Sequence, residues 1–154
     1  MGANRVAGKR PPACNSQPWR FIVIDDPKER DAVAGAAFSG AYAMNRFACA
    51  APVLVVVVTE RSRFAARLGG MFRGVQYSLI DIGIACEHFV LQAAEESVGT
   101  CWLGWFDEKA VKRVLKLPRS AHIDVILSMG YPAADAVPRP KSRAGLEEMS
   151  QYGV

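Results

Sequence analysis

Apolar and polar positions follow two patterns along this chain, and each pattern predicts a different element. Short apolar runs bounded by proline, glycine or aspartate are typical of β-strands, whereas apolar residues that recur every three or four positions are typical of helices. Val53–Val58 has no polar alternation, so both faces of that strand should be covered, with helices on each side of the sheet. The predicted strands are Trp19–Asp25, Val53–Val58, Gly99–Gly104 and Ile123–Met129.

Helical patterns occupy three further segments. Helices are predicted over 27–38 and 108–115, where Asp26 and Asp107 stand at the capping position. The longest pattern, Val75–Ser97, is apolar around most of its girth, which is typical of a helix buried in a core or a subunit interface. Its first apolar stripe is Val75, Leu79, Ile82, Cys86, Phe89 and Ala93, and its second is Ile80, Ile84 and Leu91.

Length and composition restrict the class of protein. A chain of 154 residues with 51% hydrophobic and 22% charged residues predicts one soluble globular domain over 1–154, with a loose basic leader at 1–13 and an extended tail at 133–154. The longest apolar run, Ala48–Val58, is too short for a membrane span, and the N-terminus lacks a signal-peptide core, so we expect a cytoplasmic protein.

The cysteines and the net charge give limited information about the kind of site. Cys14, Cys49, Cys86 and Cys101 lie far apart without a C-x-x-C pair, which favours reduced core thiols over disulfides or a metal site. A net charge of +4 is compatible with a phosphorylated ligand but does not by itself indicate nucleic acid.

The segment Cys14–Phe21 carries the most specific chemistry. It places two amide side chains in a loop beside a proline and a tryptophan, directly before an apolar strand. "NSQPW" followed by a strand resembles the flavin-contacting loop of the nitroreductase family. The resemblance continues in order through "APVLVVVV", "YSLIDIGIACEHFVLQAAEESVGTCWLGWF" and "LSMGYP" with "RPKSR" and "LEE", from about Pro12 to Glu148.

This resemblance implies an α+β fold with a mixed central sheet flanked by helices on both faces. It also implies a homodimer with FMN sites at the subunit interface, where the segment around Val75–Ser97 would lie and the tail from Pro138 would reach across the partner. The implied activity is ping-pong oxidoreduction: NADH or NADPH passes hydride to FMN N5, and the reduced flavin then reduces a nitroaromatic, a quinone or a similar acceptor. The cofactor does the chemistry and the protein orients it, so no side chain is assigned as catalytic.

The same resemblance implies three groups of cofactor-binding residues. The amides of the first loop would bond the flavin ring and ribityl chain, the backbone after the third strand would lie near N5 and O4, and a basic set would hold the phosphate. Each group has an ordinary alternative: turn formers, a glycine that ends a strand, and a solvated tail. The residues are Asn15, Ser16 and Gln17, then Leu103 and Gly104, then Arg139, Lys141 and Arg143.

The N-terminus departs from the family pattern. Relatives begin with a helix bearing an Arg-Arg-Ser-x-Arg element that binds the phosphate, whereas fourteen residues precede Asn15 here. Two lost charged hydrogen bonds would cost about 3–6 kcal/mol of cofactor affinity. The alternative is therefore a flavin-free homodimeric module with the same fold that binds another small ligand or a protein partner. A nucleic-acid-binding domain is disfavoured, because the chain lacks an aromatic and basic surface motif.

Overall fold

The computed structural model describes residues 19–60, 77–137, 140 and 142–153. All four predicted strands and the three predicted helices are confirmed within these ranges, and a 3₁₀ segment that the patterns did not predict follows the first helix. The elements in chain order are β1 Trp19–Ile24, α1 Pro27–Ala37, the 3₁₀ segment Gly40–Ala50, β2 Val53–Glu60, α2 Tyr77–Glu95, β3 Gly99–Leu103, α3 Glu108–Val114, β4 Ala121–Gly130 and α4 Leu146–Met149.

The four strands form one sheet in the order β1-β2-β4-β3, and each neighbouring pair is antiparallel. The α+β class is thus confirmed, but the expected mixed sheet needs correction, because no parallel pair occurs within the described ranges. The unbroken valine run of β2 explains the difference. Such a run requires cover on both faces, and helices supply that cover whatever the direction of the neighbouring strands.

β2 lies inside the sheet and separates two hydrophobic cores. Its residues Leu54–Val58 are fully buried, and alternate side chains point to opposite faces. One face packs against α1, the 3₁₀ segment and α3, and the other packs against α2, so the prediction of helices on both sides is confirmed. The first core includes Val33, Phe38, Leu54, Val56, Val58, Leu103 and Val111; the second includes Val55, Val57, Ile82, Cys86, Phe89 and Leu127.

Aspartate caps fix the starts of α1 and α3. Asp26 Oδ1 accepts from the backbone N–H groups of Lys28 and Glu29 at 3.0 and 2.9 Å, and Asp107 Oδ1 accepts from Ala110 at 2.9 Å. Each cap contributes about 1 kcal/mol. The backbone N–H of Asp107 also donates to the carbonyl of Ala37 at 3.0 Å, so the end of α1 holds the start of α3.

Helix α2 buries most of its first apolar stripe and exposes the second, together with Leu79 of the first. Ile82, Cys86, Phe89 and Ala93 of the first stripe are buried, whereas Leu79, Ile80, Ile84 and Leu91 are 38–57% exposed. Sequence periodicity did not distinguish the two stripes. None of the helices in the described ranges is long and apolar enough to span a membrane.

Cys86 behaves as the sequence predicts for a core thiol. Its side chain is fully buried, and burial together with the nearby carboxylates of Asp124 and Glu87 raises its pKa to about 12. The thiol therefore stays protonated at neutral pH. Cys49 and Cys101 are also free thiols, and Cys14 lies outside the described residues.

The chain after β4 is largely exposed over its described residues, 131–137, 140 and 142–153. Their large apolar side chains are 67–98% exposed, and the regular element among them is the single turn of α4. The division into leader, domain and tail stays a prediction. The exposed side chains are Tyr131, Val137, Leu146, Met149 and Tyr152.

Candidate functional site

The turn that leaves β3 presents an open backbone surface. Leu103 is 2% exposed and anchors the turn in the first core, whereas Gly104 is exposed. A Cβ built on Gly104 would meet no atom within 4 Å, and its φ lies outside the left-handed region. Neither packing nor backbone conformation within the described chain therefore requires glycine at this position.

The backbone N–H of Gly104 is available to a ligand. In the part of the chain that the structure describes, no carbonyl or side chain accepts a hydrogen bond from it. An N–H donor beside open space suits the acceptor edge of a flat heteroaromatic ring, and it could stabilise negative charge on that ring. The side chain of Leu103 points into the core, so any ligand contact there would use its backbone.

The 3₁₀ segment fixes the position of this turn. Asn45 Nδ2 donates to the carbonyl of Trp105 at 2.8 Å, and the indole N–H of Trp105 donates to the carbonyl of Ala41 at 3.2 Å. The rings of Tyr42 and Trp105 also pack with centroids 5.4 Å apart. Trp105 is still 55% exposed, so it offers an aromatic surface directly beside Gly104. Sequence reasoning missed this support because its partners are far apart in the chain.

β3 leaves the sheet toward the end where β1 begins. β1 is antiparallel to β2, β2 to β4, and β4 to β3, so β3 runs opposite to β1. β3 is short: through Ile126 and Val56, Leu103 is level with Ile22, three residues along β1 from Trp19. The side chain of Trp19 is partly buried and packs against the second core, so it anchors the start of β1.

A polar network occupies the same end of the sheet, between β2, β4 and α3. The register of β2 against β4 shifts between Val57 and Val58, which places Asp124 in a bulge between the paired residues Ile123 and Val125. The hydroxyl of Thr59 donates a hydrogen bond to the side chain of Asp124. His122 Nε2 lies 3.9 Å from Asp124 Oδ1, and His122 Nδ1 lies 2.7 Å from Glu108 Oε1. The sequence signal for this network is Asp124, an aspartate inside the apolar run of β4.

Glu108 is the most heavily bonded carboxylate in this network. Its Oε1 accepts from the backbone N–H of Ile123 at 3.0 Å and from Lys112 Nζ at 3.1 Å, in addition to the His122 contact. Burial alone would raise the pKa of Glu108, but these hydrogen bonds outweigh burial and hold the pKa below its ordinary value. The network therefore ties the start of α3 to the start of β4.

Replacing Glu108 by glutamine should destabilise the fold by about 1–3 kcal/mol at neutral pH, because charged hydrogen bonds are lost. The folded-state pKa of Glu108 is lowered, so its stabilisation is present above its unfolded pKa of about 4.3 and is lost as pH falls through the folded value. Urea denaturation of both proteins from pH 7 to pH 3 should show the difference shrinking toward acid. The exposed Glu95→Gln serves as control, within about 0.5 kcal/mol of the parent. A constant difference across this range would contradict the role of the ionised carboxylate.

The structure describes three of the eight predicted cofactor-binding residues. Leu103 and Gly104 form the turn described above, and Arg143 lies exposed in the tail. In the described ranges, no hydrogen bond or ion pair joins Arg143 to that turn. Asn15, Ser16, Gln17, Arg139 and Lys141 lie outside the described residues, so their roles stay predictions.

An antiparallel sheet with helices on both faces, and a glycine turn where β3 ends, places the chain among α+β proteins. The family model described as "Nitroreductase family" matches residues 5–131. The match covers most of the chain, so the chain belongs to the nitroreductase family and is an oxidoreductase. This confirms the resemblance first found in the "NSQPW" loop and the blocks that follow it.

Proteins of similar sequence and proteins of known structure agree with this family assignment. The chain is 25% identical over 159 residues to an NADH dehydrogenase of Thermus thermophilus, with 86% of this chain and 75% of that protein covered. A nitroreductase family protein from Clostridium difficile 630 aligns with a TM-score of 0.77 and 28% identity, over 98% of this chain and 83% of that one. An Exiguobacterium sibiricum protein solved in complex with FMN shares the fold, with a TM-score of 0.76 and 20% identity over 99% of this chain and 84% of that one.

Proposed function

We propose that the protein is an FMN-dependent NAD(P)H oxidoreductase that reduces nitroaromatic, quinone or related acceptors. The observation that carries the proposal is the turn at Gly104, where open space and an available backbone N–H meet at the end of the sheet. FMN is the bound ligand of the Exiguobacterium sibiricum relative, and the Thermus thermophilus relative is named for NADH.

The topology of the sheet supports a shared role for the "NSQPW" loop and Gly104. β3 leaves the sheet toward the end at which β1 begins, and Asn15–Pro18 directly precede β1 in the chain. In the proposed site the amides of Asn15 and Gln17 hold the ring and ribityl chain, with Ser16 between them.

The remaining contacts of the proposed site serve the ring edge, the phosphate and the electron acceptor. The backbone of Gly104 donates to the electron-rich edge of the ring, and the basic set Arg139, Lys141 and Arg143 neutralises the phosphate. The exposed face of Trp105 gives a flat acceptor an apolar surface close to the turn. When bound, FMN supplies the two-electron chemistry that no side chain of the site provides.

The exposed stripe of α2 supports assembly as a homodimer. Leu79, Ile80, Ile84 and Leu91 expose an apolar strip along three turns of one helix, which is costly to leave in water. We propose that a second copy of the chain covers this strip, with the exposed apolar side chains of the tail packing on the partner.

A visible absorption spectrum tests the cofactor assignment. Purified protein incubated with FMN and then desalted should retain flavin absorbance, which NADH or NADPH should bleach without oxygen and a quinone should restore. Bleaching by each donor in turn identifies the preferred nucleotide. A protein that stays colourless, and whose melting temperature does not respond to FMN, would support the flavin-free module instead.

A further inference from the structure

A cavity that is half open to solvent and lined mainly by cationic residues lies at the end of α3, and the proposed redox site does not use it. Its volume is about 610 Å³, within the range of small-molecule sites. Among the residues that the structure describes, six line the cavity; five of these are cationic, and all six lie within one short stretch of chain. The lining residues are Lys109, Lys112, Arg113, Lys116, Leu117 and Arg119.

The way α3 ends brings these cations together. The backbone N–H of Leu117 donates to the carbonyl of Lys112 at 2.9 Å, and Lys116 adopts a left-handed conformation with φ of 52°. This is the Schellman turn, which folds the chain back beside the last turn of the helix. Glycine is the usual residue at the left-handed position, and a side chain there costs stability. Lys116 therefore adds a positive charge to the cavity while lowering the stability of the turn.

Most of the positive charge around the cavity is uncompensated. Lys112 pairs with Glu108, whose Oε1 already contacts Ile123 and His122 as well. The other four cations make no ion pair within the chain's described ranges. These cations are Lys109, Arg113, Lys116 and Arg119. Like charges gathered around one cavity repel each other unless an anion lies between them.

We infer that this cavity binds the diphosphate group of a small molecule. A diphosphate carries two to three negative charges and many acceptor oxygens, which suits several guanidinium and ammonium groups around one cavity. A single phosphate would leave part of the charge unmatched. The site is separate from the tail residues proposed to hold the FMN phosphate, so it would take a second phosphorylated ligand and does not depend on flavin binding.

Calorimetric titration of FMN-saturated protein with inorganic pyrophosphate tests the inference. We expect saturable 1:1 binding that weakens as salt is added, since the contacts are ionic. Arg113→Ala should weaken binding about tenfold, the loss of one charged hydrogen bond. Lys116→Gly should weaken it similarly while the protein becomes no less stable, because glycine suits the left-handed position. Arg46→Ala, which removes an exposed cation outside the cavity, is the matched control and should bind as the parent does.

Parallel titrations with ADP and with inorganic phosphate identify the source of the diphosphate. Tighter binding of ADP than of pyrophosphate indicates a nucleotide, and the reverse indicates free diphosphate; inorganic phosphate should bind more weakly than both. The inference is overturned if pyrophosphate and ADP both fail to bind at low salt, or if Arg46→Ala loses as much affinity as Arg113→Ala. It is also overturned if FMN displaces pyrophosphate, or if a DNA duplex binds more tightly through the same residues.

Discussion

A valine in place of Gly104 is expected to weaken FMN binding by about tenfold to a hundredfold while the protein stays folded. The chain itself leaves room for the new side chain, since a Cβ at this position meets no atom within 4 Å and the backbone φ lies outside the left-handed region. Bound flavin would fill that room, so the valine would displace the ring edge and lengthen its hydrogen bond to the backbone N–H. The loss of one such bond costs about 1–3 kcal/mol, which gives the stated range in affinity.

Fluorescence titration of FMN, together with the melting temperature of the flavin-free protein, measures the two effects separately. The FMN affinity of the Gly104→Ala variant should lie between those of the parent and of Gly104→Val. The matched control is Gly35→Ala in α1, where a Cβ also meets nothing within 4 Å. Because alanine favours helix, this control should gain about 0.5–1 kcal/mol of stability and bind FMN normally. Unchanged FMN affinity in Gly104→Val would remove this turn from the flavin site.

Much of the fold could be predicted because its elements depend on local patterns. The apolar run of β2 and the caps Asp26 and Asp107 act within a few residues of themselves, and each is confirmed. The 3₁₀ segment Gly40–Ala50 was missed, since its anchor at Trp105 is distant in the chain. Antiparallel pairing throughout the described sheet was missed because strand direction is decided by tertiary connections.

The candidate site was predictable in part for the same reason. Gly104 was identified because it follows a strand in a recognisable block. The supports around it join distant residues: Asn45 with Trp105, and Thr59 with Asp124. The second pair results from the irregular pairing between β2 and β4, a feature of register that periodicity does not reveal. The cavity at the end of α3 likewise depends on a left-handed lysine, which sequence patterns treat as an ordinary surface residue.

The two apolar stripes of α2 look alike in sequence, and only the packing of the helix shows which of them is exposed. That difference leads to the second large effect: Ile84→Glu should convert the proposed homodimer into monomers. Ile84 is 38% exposed in the single chain, so a glutamate there can reach water and should leave the monomer folded. In a dimer that covers the stripe, the same carboxylate would be buried without a partner, at a cost of several kcal/mol.

Light scattering coupled to size exclusion should show the mass of a dimer for the parent and of a monomer for Ile84→Glu. Val114→Glu is the matched control, because Val114 is 36% exposed and lies on α3, away from the stripe; it should remain dimeric. If the flavin site is shared between subunits, the monomeric Ile84→Glu variant should no longer bind FMN. This loss would occur although Ile84 is distant in sequence from Gly104. A monomeric parent that still binds FMN would instead mean that one chain forms the whole site, and the exposed stripe of α2 would then require a different occupant.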